Sequence, residues 1–328
     1  MTNPLPTATG GRSQPRRVLA LLVALAGVLV VAALATQPGR ELTGAGVGPS
    51  TTLAPDPAAP YPTTRPDAGV RPGSGTSGVP PGTALRRQDG DLVITEPGTV
   101  IDRADIHGFV DVRAPDVTIR RSIIRGGVAT GNIGLVTDVD PAATNLVVEE
   151  SLLAPEFPSV WIDGIKGWNY TLRRSEVTRT VDGAKVYGDD AAVTESWIHD
   201  MTYYLSDPNL GGTPTHNDAI QVLSGSHLRF LRNSLYGAHN SALQVTQDHG
   251  PVDDLVFAGN WADGGGCTVN ITNKGLPSLA GVTVRNNRFG RSSRVAGCPV
   301  IASATTTLVA FGNVYADTGR AIRVRDNG

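Results

Sequence analysis

VTIRRSII at 117–124, LVVEESLL at 146–153, YTLRRSEV at 170–177, AAVTESWI at 191–198, LRFLRNSL at 228–235, LVFAGNWA at 255–262, VTVRNNRF at 282–289 and LVAFGNVY at 308–315 are eight copies of one unit. Each reads apolar, any, apolar, two mostly polar residues, Ser or Asn, any, apolar, and self-similarity of this kind marks a repeat architecture. The Ser/Asn positions are Ser122, Ser151, Ser175, Ser196, Asn233, Asn260, Asn287 and Asn313, separated by 29, 24, 21, 37, 27, 27 and 26 residues. Alternation within the copies puts Ile119, Val148, Leu172, Val193, Phe230, Phe257, Val284 and Ala310 on one face, where they stack as a single buried column.

A period in the twenties also suits a leucine-rich repeat, but the L-x-x-L-x-L-x-x-N spacing and its helical half are absent. A parallel β-helix fits instead. Its coils lie about 4.8 Å apart, so backbone bonds run from coil to coil and equivalent positions form ladders. The Ser/Asn column then reads as an internal turn ladder, structural rather than catalytic. Cys267 and Cys298 test this register: each precedes a matching apolar strand, TVNI and PVIA, and aligning those strands brings the cysteines level on adjacent coils, within reach of a disulfide.

From about Asp91 onward the chain resembles the right-handed parallel β-helix, pectin-lyase-like superfamily, with DLVIT at 91–95, TVID at 99–102 and FVDV at 109–112 as the N-terminal cap and first coil. The resemblance implies an all-β, single-stranded right-handed solenoid. It also implies a polysaccharide as partner, since characterised members are largely polysaccharide lyases, glycoside hydrolases, pectin esterases and uronan epimerases. The N-T-D, G-H-G and R-I-K pattern of polygalacturonases is absent, and so is a match to the calcium-and-arginine set of pectate lyases.

Composition agrees. The 328 residues carry a formal net charge of -2 with no long run of one sign after the first seventeen, which argues against a phosphate-tracking surface and hence against nucleic acid. Aromatic residues are only 5 %, so the core is built from Val, Ile, Leu and Ala. Ahead of the repeats, Arg12, Arg16 and Arg17 precede an uncharged apolar run at 18–35, which reads as a hydrophobic helix. Two fates fit it: a signal peptide cleaved after Ala33-Leu34-Ala35, or a signal anchor that holds the protein in the membrane. Either places the remainder in the extracellular space or on the cell surface. Residues 36–84 hold 10 of the 23 prolines and 9 glycines and read as a disordered linker. The expected organisation is therefore 1–35 for targeting, 36–84 as spacer and 85–328 as the β-helix, a monomer.

A second strand per coil supplies the candidate surface: DGAKV at 182–186, DAIQV at 218–222, SALQV at 241–245, CTVNI at 267–271 and RAIRV at 320–324. Their alternation turns Lys185, Gln221, Gln244, Asn270 and Arg323 outward in one column. The surplus of the longest spacing lies in 199–215, a loop that returns into His216-Asn217-Asp218, while His239-Asn240 occupies the equivalent place on the next coil. Tyr203 and Tyr204 offer platforms for sugar rings; Gln221, Gln244 and Asn270 offer partners for hydroxyls. For β-elimination beside a carboxylate, Lys185, His216 or His239 supplies the base or the neutralising cation, with Asp218 in the same catalytic group. Asp182 and Asp207, with Asp218, form a candidate site for a hard cation such as Ca2+. A glycoside hydrolase would instead use Asp182 and Asp218 as its carboxylate pair. A non-catalytic glycan-binding or structural cell-surface module needs only the hydroxyl partners and platforms. Among the tryptophans, Trp161 is a possible platform by type, whereas Trp197, beside a ladder serine, reads as structural.

Overall fold

The computed structural model describes residues 70–327. The expected helix at 18–35 and the greater part of the expected linker lie outside them. Among the described residues no helix is long and apolar enough to cross a membrane.

Among the described residues twenty-nine strands fall into three sheets in which each strand, the end strands apart, pairs with the third one before it and the third one after it. Sheet 1 has ten strands, from Arg86–Asp89 to Val314–Tyr315; sheet 2 has ten, from Leu92–Ile94 to Val324–Asn327; sheet 3 has nine, from Val100–Asp102 to Leu308–Phe311. Pairing is parallel throughout each sheet, as at Asp218↔Ser241 and Phe230↔Phe257. Three strands thus make one coil, and the coils stack as a parallel β-helix.

The repeat positions take the places that their spacing requires. Ile119, Val148, Leu172, Val193, Phe230, Phe257 and Val284 are in register and inaccessible to solvent. Ala310 keeps the register but is exposed, because its strand is the last of sheet 3 and has a coil on one side only.

The Ser/Asn column is a continuous ladder at the turn from sheet 3 to sheet 1. The backbone N–H of each member donates to the side chain on the following coil: Ser122 to Ser151 at 3.1 Å, Ser196 to Asn233 at 3.0 Å, Asn233 to Asn260 at 2.8 Å and Asn260 to Asn287 at 2.9 Å. Each asparagine amide also donates to a carbonyl of the preceding coil, Asn233 to Val193 and Asn260 to Phe230. The turn needs a left-handed residue just before the ladder, supplied by Arg121, Glu150, Arg174, Glu195, Arg232 and Asn286 and, without a Cβ penalty, by Gly259 and Gly312.

Part of the segment expected as linker is instead ordered. Residues 70–84 lie along the outside of sheet 1 and run back down the stack. Arg71 donates to Ser234 Oγ at 3.0 Å and covers the rings of Tyr236 and Trp261; Ser77 Oγ donates to the Glu195 carbonyl; Gly78 N–H donates to the Arg174 carbonyl. Composition missed this because the segment docks through backbone bonds and one guanidinium rather than through apolar side chains.

Candidate functional site

Sheet 2 carries the site. Its register aligns Lys166, Lys185, Gln221, Gln244 and Asn270 in one column, continued by Ile301 and Arg325. The expected outward position of Arg323 is therefore taken by Arg325, two residues further on. The slip arises because the last strand of sheet 2 begins only at Val324 and not within RAIRV.

Beneath this column runs a second ladder, of acids. Asp163, Asp182 and Asp218 each stand three residues before an outward residue, and all three are at most 3 % exposed. The N–H of Asp182 donates to Asp163 Oδ1 at 3.3 Å and that of Asp218 to Asp182 Oδ1 at 2.8 Å. Asn240 Nδ2 donates to Asp218 Oδ1 at 2.9 Å. Two lysines close the acids from the solvent side. Lys185 Nζ lies 2.6 Å from Asp182 Oδ2 and 3.1 Å from Asp163 Oδ2, and Lys166 Nζ lies 3.3 Å from Asp163 Oδ2 and 2.8 Å from Asn132 Oδ1. The repeated motif D-G-x-K at 163–166 and 182–185 is the sequence signal for this arrangement. Sequence reasoning started the column at the second copy and so missed Asp163 and Lys166.

The protonation states follow from burial and neighbours. Burial alone would lower the Lys185 ammonium, but Asp163 and Asp182 outweigh it and hold the group well above the ordinary lysine range. Lys185 is thus a fixed cation and not a base. Burial, and then the Asp182 carboxylate, push Asp218 far upward, and Asn240 offsets only part of this. Asp218 therefore holds its proton more tightly than an ordinary carboxyl. Asp182 is raised by burial as well, with Lys185 the main opposing influence. Within the pair, Asp182 carries the charge because it holds the ammonium.

The loop between Trp197–His199 and Asp218–Val222 rises beside this ladder. It is zipped at its base by backbone bonds of Thr215 to Tyr204 and of Asp207 to Thr213. Tyr203 stacks on His239 with ring centroids 3.9 Å apart and remains 39 % exposed. Tyr204 is half-buried. Burial, and then Arg294, lower His239, so its imidazole is neutral at neutral pH. Arg294, which donates to the His239 carbonyl, is another neighbour that the sequence did not single out. His216 is exposed and makes no hydrogen bond with a described residue.

The structure therefore gathers Lys185, Asp218, Asp182, Gln221 and Gln244 around one ladder, with His239 and Tyr203 paired at its side. Gln221 Nε2 faces Asp218 Oδ2 at 3.5 Å, and Gln244 Oε1 accepts from Ser241 Oγ at 3.3 Å. Asn270 continues the column, half-buried, with its Oδ1 unpartnered. Asp207 is not gathered with Asp182: it caps the short 3-10 turn Pro208–Leu210 by accepting from Asn209 N–H at 2.8 Å. With the Asp182 oxygens engaged by Lys185 and the Asp218 N–H, this donor set does not fit calcium. Among the described residues no group of three or more His, Cys, Asp or Glu side chains is placed to hold a metal ion. Cys267 and Cys298 form the expected disulfide between adjacent coils, with Cα atoms 4.8 Å apart.

No family model, no curated protein and no solved structure matches this chain.

Proposed function

We propose that this chain, as a right-handed parallel β-helix of the pectin-lyase-like kind, acts on a uronate-bearing polysaccharide outside the cell by β-elimination on the outer face of sheet 2. The observation that carries the reading is the Lys185 ammonium, clamped on the outer face of sheet 2 by the buried carboxyls of Asp163 and Asp182. Lys166 and Lys185 face Asp163 and Asp182, and the burial that raises Asp218 disfavours a third negative charge beside them. A uronate can then approach Lys185 without meeting a net anionic patch.

The chemistry needs a base for the proton beside the carboxylate and a cation for the enolate that forms. Lys185, with 12 % of its side chain exposed, supplies the cation. His239, neutral and backed by Tyr203, takes that proton, and as the C4–O bond breaks to leave the unsaturated end the imidazolium returns it to the departing glycosidic oxygen. Gln221 and Asn270 bind hydroxyls, and exposed His216 borders the same face. Asp218 acts as a positioning residue beneath Gln221.

A hydrolytic reading draws on one feature, the juxtaposed carboxyls of Asp182 and Asp218 on adjacent coils, both raised by burial and only Asp182 held by an ammonium. Against it, these residues are 2 % and 0 % exposed, so neither carboxyl reaches a glycosidic oxygen. The test is incubation of the full chain with uronic-acid and neutral polysaccharides, following ultraviolet absorbance of unsaturated ends and, separately, reducing ends. Unsaturated product that falls at least 100-fold in His239→Gln, with unchanged melting, is expected. Reducing ends without unsaturation would replace the lyase by the hydrolase, and silence across the panel would leave a glycan-binding module.

A further inference from the structure

Where the chain leaves sheet 2 for sheet 3, an open groove of about 570 Å³ runs up the stack. It is separate from the acid ladder and begins two residues beyond it: Trp168 follows Lys166, and Tyr187 follows Lys185, a step of about 7 Å along the strand. Trp168 forms one wall. His249, three coils on and tilted against Tyr187 at 5.1 Å, forms the other. The lining comes from successive coils about 4.8 Å apart, so the groove runs along the stack rather than along one strand.

Two glycines let neighbouring coils approach closely beneath the groove. A Cβ at Gly188 would meet Trp168 Cβ at 3.1 Å, and one at Gly225 would meet the Gly188 carbonyl oxygen at 2.1 Å. The polar lining is acidic and amide in character. Asp189 accepts from the Ser226 N–H, Asp190 lies 3.2 Å from His227, and Asn169 Nδ2 reaches Asp190 at 3.4 Å. Among the described residues no lysine or arginine lines the groove. An aromatic wall, hydroxyl acceptors and no cation suit an uncharged pyranose and repel a uronate.

We propose that this groove is a second saccharide subsite, which takes neutral sugar residues of the same chain whose uronate meets Lys185. The inference rests on the polysaccharide reading above and narrows it to heteropolymers in which uronate and neutral sugars are mixed. Trp168 is the stacking platform, and Asp190 is the selectivity residue.

The test is binding of the full chain to oligosaccharide ladders from glucuronoxylan and hyaluronan, where uronates stand among neutral sugars, and from polygalacturonate, where every unit is a uronate. Affinity for the mixed ladders is expected to rise at least tenfold as length extends from four to eight units, and to rise little for oligogalacturonates. Trp168→Ala should abolish that gain while leaving the four-unit affinity unchanged. Asp190→Lys, at an exposed position and so independent of whether Trp168→Ala folds, should raise octagalacturonate affinity at least fivefold. A length gain that survives Trp168→Ala, or an Asp190→Lys variant with unaltered preference, would overturn the subsite and leave the catalytic reading standing. No binding of any ladder by the parent chain would overturn both.

Discussion

Two buried polar ladders run up the same solenoid, and they differ in charge. At the turn into sheet 1, Ser and Asn side chains accept backbone N–H groups from the neighbouring coil, and each Asn returns a donor to a carbonyl. At the entrance to sheet 2, Asp163 and Asp182 accept the same kind of bond from the next coil, but they return nothing, and their charge needs Lys166 and Lys185. A neutral ladder satisfies itself at every rung. A charged ladder is complete only where a cation closes it, so it can hold one proton or one charge in an unusual state. That asymmetry makes the first a stability device and the second a candidate site.

The largest expected effect comes from an acid buried outside either ladder. Asp138 points into the core in register with Gly167, is wholly buried, and has no hydrogen-bond partner for either oxygen among the described residues. Burial, reinforced by Asp140, pushes it from 3.8 up to about 8. A carboxyl raised in the folded state stabilises fully only below its unfolded value, and its contribution is lost as pH rises through the folded value. The loss runs at about 1.4 kcal/mol per pH unit, on the order of 5 kcal/mol between about pH 4 and about pH 8. Asp138→Asn should therefore flatten the pH dependence of urea unfolding across that window. A variant whose profile parallels the parent would show that Asp138 is ionised and compensated.

Next is the removal of the cation that closes the charged ladder. Lys185→Met leaves Asp163 and Asp182 buried together, at an expected cost of about 3–5 kcal/mol near neutral pH. The loss should shrink as acid protonates the stranded carboxyls. Adding Asp182→Asn to Lys185→Met should restore more than half of it, which urea unfolding at pH 5 and pH 8 would measure. Equal damage at both pH values, or no recovery in the double variant, would mean that Lys185 acts through packing alone.

The neutral ladder was legible from sequence and the charged one only in part, for a physical reason. Ser122 to Asn313 recur in the same unit because every turn into sheet 1 has the same backbone need. The site column changes residue type at each rung, from Lys166 through Gln221 to Asn270, so periodicity exposes its outward parity but not its ion pairs. Alternation gave the shared register of Lys185, Gln221 and Gln244, although Gln244, expected outward, is buried at 5 % exposure. The same alternation sets Asp182 and Asp218 on the inward parity with Ala184 and Ile220, but their charge argued for an accessible position, and only the lysine and amide partners explain their burial. Asp163 and Lys166 were readable in D-G-x-K, and the Tyr203–His239 stack was not, because it joins a long loop to another coil.

The smallest of these effects tests the claim that the neutral ladder is satisfied rung by rung. Asn260→Ala strands the Asn233 N–H, which donates to Asn260 Oδ1, and the Phe230 carbonyl, which accepts from Asn260 Nδ2. Two orphaned backbone groups in a closed interior predict a loss of about 2–3 kcal/mol. No group in that ladder titrates, so the loss should be the same at pH 5 and pH 8, unlike that of Lys185→Met. Asn260→Ser should fall between Asn260→Ala and the parent, because Ser122, Ser151, Ser175 and Ser196 already fill this position with a hydroxyl that accepts the N–H and bonds its own turn. A serine variant as unstable as the alanine one would show that the amide's second bond, to the preceding coil, carries the ladder at its asparagine rungs.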